Sequence, residues 1–146
     1  MHKSHALLEF LSLIKAPCVW RMSMLNVMLM SLIRASTKKS NAPRNIECHG
    51  CCRMFTTVSA MMIHLESGSC ECGVNRDGLD RIAYECYWSE DYTNDWNDYY
   101  MYKCPDCQNG FRFLSALFQH IESDACNQGM DGASIAALVY DILREI

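Results

Sequence analysis

A cysteine and histidine pattern occurs twice in this chain of 146 residues, and it limits the available folds more than any other feature. Each copy reads C-x2-C-x12-H-x5-C, and the two copies align without a gap. They also share residues outside this pattern, such as Phe55 with Phe111 and Glu66 with Glu122. Self-similarity at a fixed spacing indicates that one structural unit is used twice. The candidate metal ligands are Cys48, Cys51, His64 and Cys70 in the first copy and Cys104, Cys107, His120 and Cys126 in the second.

The spacing within each copy favours a structural zinc site. Two cysteines separated by two residues can lie on one tight turn and direct both sulfurs to one point. The following gap holds a short strand and two turns of helix, from which the histidine projects, and the chain then turns past the helix end and returns a cysteine. Phe55 with Met61, and Phe111 with Leu117, would form a small core against the metal. Such a unit is too small to fold by apolar burial alone, so metal binding and folding are expected to occur together.

The repeat continues beyond the last cysteine of each copy as a predicted amphipathic helix. Apolar residues recur at i, i+3, i+4 and i+7, which places them on one helix face. We predict Asp77 and Asp131 as the N-caps of these two helices. The apolar positions are Leu79, Ile82, Ala83 and Cys86 in the first unit and Ile135, Leu138, Val139 and Ile142 in the second.

These residues resemble the C2H2-type zinc-finger family, in the variant that has cysteine as its fourth ligand. The core C-x2-C-x3-F-x5-[LM]-x2-H is present over Ile46–Cys70 and Tyr102–Cys126, about a third of the chain. The resemblance implies a ββα fold around one tetrahedral zinc ion in each unit, and two Zn²⁺ ions in all. The chain departs from the common form at Cys70 and Cys126, where histidine is usual, and this departure weakens the transfer of a DNA-binding role.

The alternative to zinc is a set of structural thiols or disulfides, since ten cysteines are present. Cys72 and His49 could compete as ligands, but both are out of register with the repeat. Cys52 follows Cys51 directly, but only Cys51 keeps the repeat register and the spacing to Phe55. Cys86 lies on the apolar face of a predicted helix, so we interpret it as a small buried hydrophobe.

Charge is unevenly distributed along the chain. Residues 1–47 have a balance of +5, and residues 48–146 have a balance of −9. An acidic cysteine-rich part argues against a grip on a phosphate backbone, which requires clustered Lys and Arg. Residues 1–14 fit a secretory signal poorly because Glu9 interrupts their apolar run, so we expect a reducing intracellular location, the nucleus or the cytoplasm. No membrane association is expected.

The predicted fold class is small α+β, with two ββα zinc-finger modules that are each followed by an amphipathic helix. Whether those two helices pack together or each on its own finger is left open by the sequence. A helical or disordered extension is expected at the N-terminus. The predicted segments are residues 1–45 for this extension, 46–87 for finger 1 with its helix, 88–101 for an acidic aromatic linker and 102–146 for finger 2 with its helix.

Base-reading chemistry is sparse on the predicted finger helices. DNA-reading fingers contact bases from helix positions −1, 3 and 6, and only Gln119 among the residues at these positions is a usual base-edge reader. The segment from Glu71 to Lys103 separates the fingers, and it is too long a connection to hold them in register on a major groove. The residues at the base-reading positions are Thr57, Ala60, Ile63, Phe113, Ala116 and Gln119.

The favoured function is therefore a zinc-binding protein-interaction scaffold with an unidentified protein partner. A DNA-binding transcription regulator is the alternative, and nucleic acid is the less favoured partner. An enzyme is not expected, because four protein ligands close each zinc site to water and no catalytic residues are assigned. Glu66 and Glu122 are interpreted as surface residues at helix ends. The apolar residues expected on exposed finger faces are Val58, Ile63, Phe113 and Phe118.

Overall fold

The computed structural model describes residues 43–123 and 125–146, so nearly all of the predicted N-terminal extension lies outside the described residues. In the described part, no helix has both the length and the apolar character needed to cross a membrane. The strands are β1 (Ile46–Glu47), β2 (Met54–Phe55), β3 (Tyr102–Lys103) and β4 (Gly110–Phe111), and the helices are α1 (Val58–Glu66), α2 (Arg76–Glu85), α3 (Ser89–Tyr92), α4 (Leu114–Glu122) and α5 (Ala133–Glu145).

Each finger opens with a two-stranded antiparallel hairpin, as predicted. The β1–β2 register pairs Ile46 with Phe55, and the β3–β4 register pairs Tyr102 with the equivalent phenylalanine of finger 2. The turn between the strands has one residue in the left-handed region, which is Cys52 (φ 56°) in finger 1 and Gln108 (φ 58°) in finger 2. These two residues occupy the same position of the repeat, so the repeat extends to the backbone conformation. The predicted small α+β fold with two ββα fingers is confirmed.

The helices that follow the fingers are also present, and α2 packs against α5. Helix α2 also packs against α1 of its own finger, so it contacts both its finger and the other appended helix. Both predicted N-caps are wrong. Asn75 caps α2 by accepting a hydrogen bond from the N–H of Gly78 at 3.0 Å, and Asp77 lies within the first turn. Helix α5 begins after Gly132, without a side-chain cap, and not after Asp131.

The two finger helices, α1 and α4, pack against each other more extensively than any other pair of elements. Phe118 and Met62 are fully buried and Val58 is 1% exposed. The expectation that Val58 and Phe118 lie on open finger faces is therefore wrong, because each finger covers the apolar face of the other. Ile63 and Phe113 do remain exposed, at 47% and 39%. One continuous hydrophobic core joins both fingers and both appended helices.

The segment from residue 88 to residue 101 is partly built into this core. Helix α3 ends at Tyr92, which is fully buried and donates a hydrogen bond from its hydroxyl to the Ala83 carbonyl at 3.0 Å. Thr93 then forms a bridge with Tyr102 at the start of the second finger. Cys86 is also buried, in agreement with its interpretation as a small hydrophobe. The connection between the fingers is thus anchored to both of the units that it joins.

Candidate metal centres

The structure brings the candidate ligands of finger 1 together at the junction of its hairpin and its helix. The turn after β1 supplies Cys48 and Cys51, α1 supplies His64, and the chain returns past the helix end with Cys70. The Sγ atoms of Cys48 and Cys70 are 3.6 Å apart, and Sγ of Cys51 lies 3.3 Å from Nε2 of His64. All four ligand atoms lie within 4.8 Å of one another. Phe55 packs beside the histidine ring, with centroids 5.1 Å apart.

Finger 2 repeats this geometry closely. The Sγ atoms of Cys104 and Cys126 are 3.6 Å apart, and Sγ of Cys107 lies 3.3 Å from Nε2 of His120. Phe111 packs beside the histidine at a centroid distance of 5.0 Å. The second site is the more open of the two. Cys107 is exposed and Cys126 is half-buried, whereas their equivalents in finger 1, Cys51 and Cys70, are half-buried and buried.

The distances in both sites suit a tetrahedral zinc ion. Zn–S bonds of about 2.3 Å and Zn–N bonds of about 2.0 Å place two sulfurs about 3.8 Å apart and a sulfur about 3.5 Å from a nitrogen. The observed separations of 3.6 and 3.3 Å are close to these values. The sulfur–sulfur separation of 3.6 Å in each site is too long for a disulfide, whose sulfurs lie about 2.05 Å apart. Every cysteine in the described residues is a free thiol. Each group of four is therefore positioned to bind one metal ion, two zinc ions in all.

The protein environment adjusts the ionisation of the ligands. Burial raises the pKa of the Cys48 thiol to about 12 and that of the Cys104 thiol to about 11. Burial, and then the charge of Arg53, lowers the pKa of His64, which favours the neutral imidazole that metals bind. At Cys107, a backbone hydrogen bond from Asn109 lowers the pKa of the thiol. A bound zinc ion would replace the thiol protons and hold hairpin and helix together, so its affinity is expected to fall as the pH is lowered.

The groups that were out of register are not part of either set of four. Nδ1 of His49 lies 2.9 Å from the Leu143 carbonyl of α5, so this ring joins the finger to the last helix. Cys72 lies beside the first site, since its sulfur and that of Cys70 both face Gly50. A Cβ added to Gly50 would stand 2.8 Å from the sulfur of Cys72 and 3.1 Å from that of Cys70. Only glycine fits at position 50 in this arrangement.

The two fingers cap each other's helices with carboxylates. Oε1 of Glu122, at the end of α4, accepts hydrogen bonds from the N–H groups of Val58 at 2.8 Å and Ser59 at 3.2 Å, in the first turn of α1. Glu66, at the end of α1, accepts from the N–H of Ser115 at 3.0 Å and from its hydroxyl, in the first turn of α4. The N–H groups at a helix start lack partners within the helix, and a carboxylate there also interacts favourably with the helix dipole.

Glu66 and Glu122 do lie at helix ends, as predicted, but the expectation that they are simple surface residues is wrong, because both are half-buried and bonded to the other finger. The signal that could have revealed their role is their identity across the repeat, together with that of Ser59 and Ser115. A solvent-exposed side chain without a specific contact could differ between the two copies. The two glutamates instead form matching contacts, each with the helix of the other finger.

Comparison with known proteins supports the identification of the metal centres. Residues 102–123 match the family model for the zinc finger, C2H2 type. The match spans β3, β4, α4 and three of the four ligands of the second site. No curated protein and no solved structure matches the chain. Finger 1 has an equivalent tetrad of candidate ligands, so the match and the two tetrads together support a zinc-binding domain of two fingers.

Proposed function

We propose that this chain is a non-catalytic scaffold in which two zinc ions fix a surface for binding another protein. The observation that carries the proposal is the reciprocal capping by Glu66 and Glu122. Each glutamate bonds the first turn of the other finger's helix, which holds α1 and α4 against each other. A finger that reads DNA must present the N-terminal part of its helix to base edges in the major groove. Here the N-terminal turn of each helix is occupied by a carboxylate of the other finger.

The charges around the helix starts argue in the same direction. A phosphate backbone approaching α1 or α4 would meet Glu122 or Glu66, and residues 48–146 carry a balance of −9. Binding to duplex DNA depends on Lys and Arg that release counterions from the phosphates. At finger 2, the guanidinium of Arg76 lies 4.4 Å from the ring centroid of Phe113, so a base-reading position contacts another part of the chain. Four protein ligands at each site would also leave no position for a reactive water, in keeping with a non-catalytic role.

A DNA-binding regulator is the second candidate function. It is favoured by the family match over residues 102–123 and by Gln119, an exposed residue at a base-reading position of α4. Glutamine can bind adenine through two hydrogen bonds. A DNA role would require the fingers to separate or to use a surface other than the paired helices.

The two candidates are separated by selection from a random duplex pool with the full zinc-loaded chain, followed by gel-shift titration at several salt concentrations. The scaffold proposal predicts that no sequence is enriched. Enrichment of a defined site that is lost in Gln119→Ala would overturn it. In a parallel experiment, cross-linking in cell extract should join the zinc-loaded chain to a defined protein, and prior removal of zinc by a chelator should abolish this product.

A further inference from the structure

An open cleft with a volume of about 280 Å³ lies beside helix α2, outside both metal centres. Its floor and walls come from α2 and from the loop that leads into finger 2. This loop is closed at its base, where the N–H of Asn94 donates to the Met101 carbonyl at 2.9 Å. The lining residues are Tyr84, Asn94, Asp95, Asn97, Asp98 and Met101.

Two carboxylates of this cleft carry negative charge that the described residues do not neutralise. Asp95 and Asp98 are exposed, and neither forms an ion pair with any residue between positions 43 and 146 that the structure describes. Asp80 nearby differs, since it pairs with Arg76 at 3.7 Å. Burial, and then the charges of Asp95, Asp80 and Asp98, raises the pKa of Tyr84 above its ordinary value. The cleft is thus a region of negative potential.

An aromatic wall stands beside these carboxylates. The hydroxyl of Tyr84 donates to the Met101 carbonyl at 3.2 Å, and its ring packs against Tyr102 at a centroid distance of 6.3 Å, so the ring is held in place. A ring face attracts a cation within about 6 Å of its centroid. The same loop already uses this interaction within the chain, because the guanidinium of Arg112 lies 5.4 Å from the centroid of Tyr99.

The loop above the cleft also exposes aromatic surface, although the Tyr100 ring packs beside Gly110 and Tyr99. Trp96 is 96% exposed, and Tyr100 is 43% exposed. The loop is ordered by the Asn97 side chain, which accepts hydrogen bonds from the N–H groups of Tyr99 at 2.9 Å and Tyr100 at 3.1 Å. Tryptophan, tyrosine and arginine dominate the energetic centres of protein interfaces, so an ordered loop of this composition is typical of a binding surface.

We propose that this cleft and the loop of residues 94–101 bind an Arg- or Lys-containing basic segment of the partner protein. One cationic side chain enters between Tyr84 and the carboxylates of Asp95 and Asp98, and Trp96 covers the adjacent part of the segment. The balance of −9 over residues 48–146 complements a basic partner and speeds its approach. This inference rests on the scaffold function proposed above and specifies the chemistry of the partner.

The test uses the full zinc-loaded chain and a fluorescein-labelled peptide of alternating glycine and arginine. A second peptide with glutamine in place of every arginine is the uncharged probe. Binding is measured by fluorescence anisotropy for the wild type and for Asp95→Asn/Asp98→Asn, which keeps the shape of both side chains. The matched control is Glu90→Gln/Asp91→Asn, which removes two charges of α3 that do not line this cleft. Zinc content and circular dichroism establish that both variants are folded.

We expect the arginine peptide to bind the wild type and the glutamine peptide not to bind. The cleft variant should bind about tenfold more weakly, and the control variant should stay within about twofold of the wild type. Tyr84→Phe, which keeps the ring, should bind better than Tyr84→Leu. Equal losses in the two charge variants would reduce the effect to overall charge and overturn the proposal, as would absence of binding to the wild type. If zinc-dependent cross-linking persists unchanged in the cleft variant, this inference fails while the scaffold function stands.

Discussion

Removal of the Glu122 carboxylate is expected to destabilise the protein although this residue belongs to neither set of metal ligands. Thr57 already caps α1 by accepting a hydrogen bond from the N–H of Ala60 at 3.1 Å, so the N–H groups of Val58 and Ser59 rely on Glu122. A lost helix cap costs about 0.5–2 kcal/mol, and hydrogen bonds to a charged group contribute about 1.5–3 kcal/mol. For Glu122→Ala we therefore expect the free energy of unfolding to fall by about 2–3 kcal/mol.

The assay is equilibrium urea unfolding with zinc in excess, followed by far-ultraviolet circular dichroism. Glu122→Gln keeps an acceptor oxygen for both N–H groups and should lie within about 1 kcal/mol of the wild type. Glu71→Ala, the same truncation at an exposed position, is the control and should change the stability by less than about 0.5 kcal/mol. A Glu122→Ala protein as stable as the Glu71→Ala control would refute the argument that the fingers cap each other.

Three other measurements test the ionisation of Glu122, the coupling between the two metal sites and the packing around Gly50. Burial raises the pKa of Glu122 above the usual glutamate value despite the hydrogen bonds that it accepts, so the folded state favours its neutral form. The stability of the wild type relative to Glu122→Gln should therefore fall as pH rises from the ordinary glutamate pKa through the raised one. Urea titrations that show the opposite trend would contradict this. His120→Asn should remove one zinc ion and, through loss of the cap on α1, also weaken metal binding at the first site by about tenfold or more in chelator competition; an unchanged first site would mean that the fingers are independent. Gly50→Ala would place a Cβ 2.6 Å from that of Cys72 and should cost about 1–3 kcal/mol in urea unfolding, whereas Asp106→Ala at the equivalent position of finger 2 should have little effect.

The fingers themselves could be predicted from the sequence because their structure is local. Each ligand set lies within one short stretch of chain, Cys48–Cys70 or Cys104–Cys126, so metal coordination fixes the geometry of each finger from residues close in sequence. The repeat added a second, independent copy of the same pattern. It also indicated the two appended helices, whose apolar faces at Leu79 and Ile135 are buried in the common core.

The pairing of the fingers could not be predicted because it joins parts of the chain that are distant in sequence. The sequence pattern of an apolar helix face with Val58 or Phe118 is the same whether that face binds another protein or packs against the other finger. The N-cap of α2 was misplaced for a local reason, since Asn75 and Asp77 are both good capping residues and only the structure shows which one precedes the first turn. Burial of Tyr92 was missed because the surrounding segment is polar and aromatic.

The central claim is that two bound metal ions organise the protein, and zinc content with zinc X-ray absorption spectroscopy tests it most directly. A chain purified under reducing conditions should carry two zinc ions, each coordinated by three sulfurs and one nitrogen, as the two tetrads require. Extraction of the zinc by a strong chelator should abolish the folded structure. Fewer than two zinc ions, a Cys48 sulfur bonded to another sulfur, or full structure in the chelated chain would contradict the account.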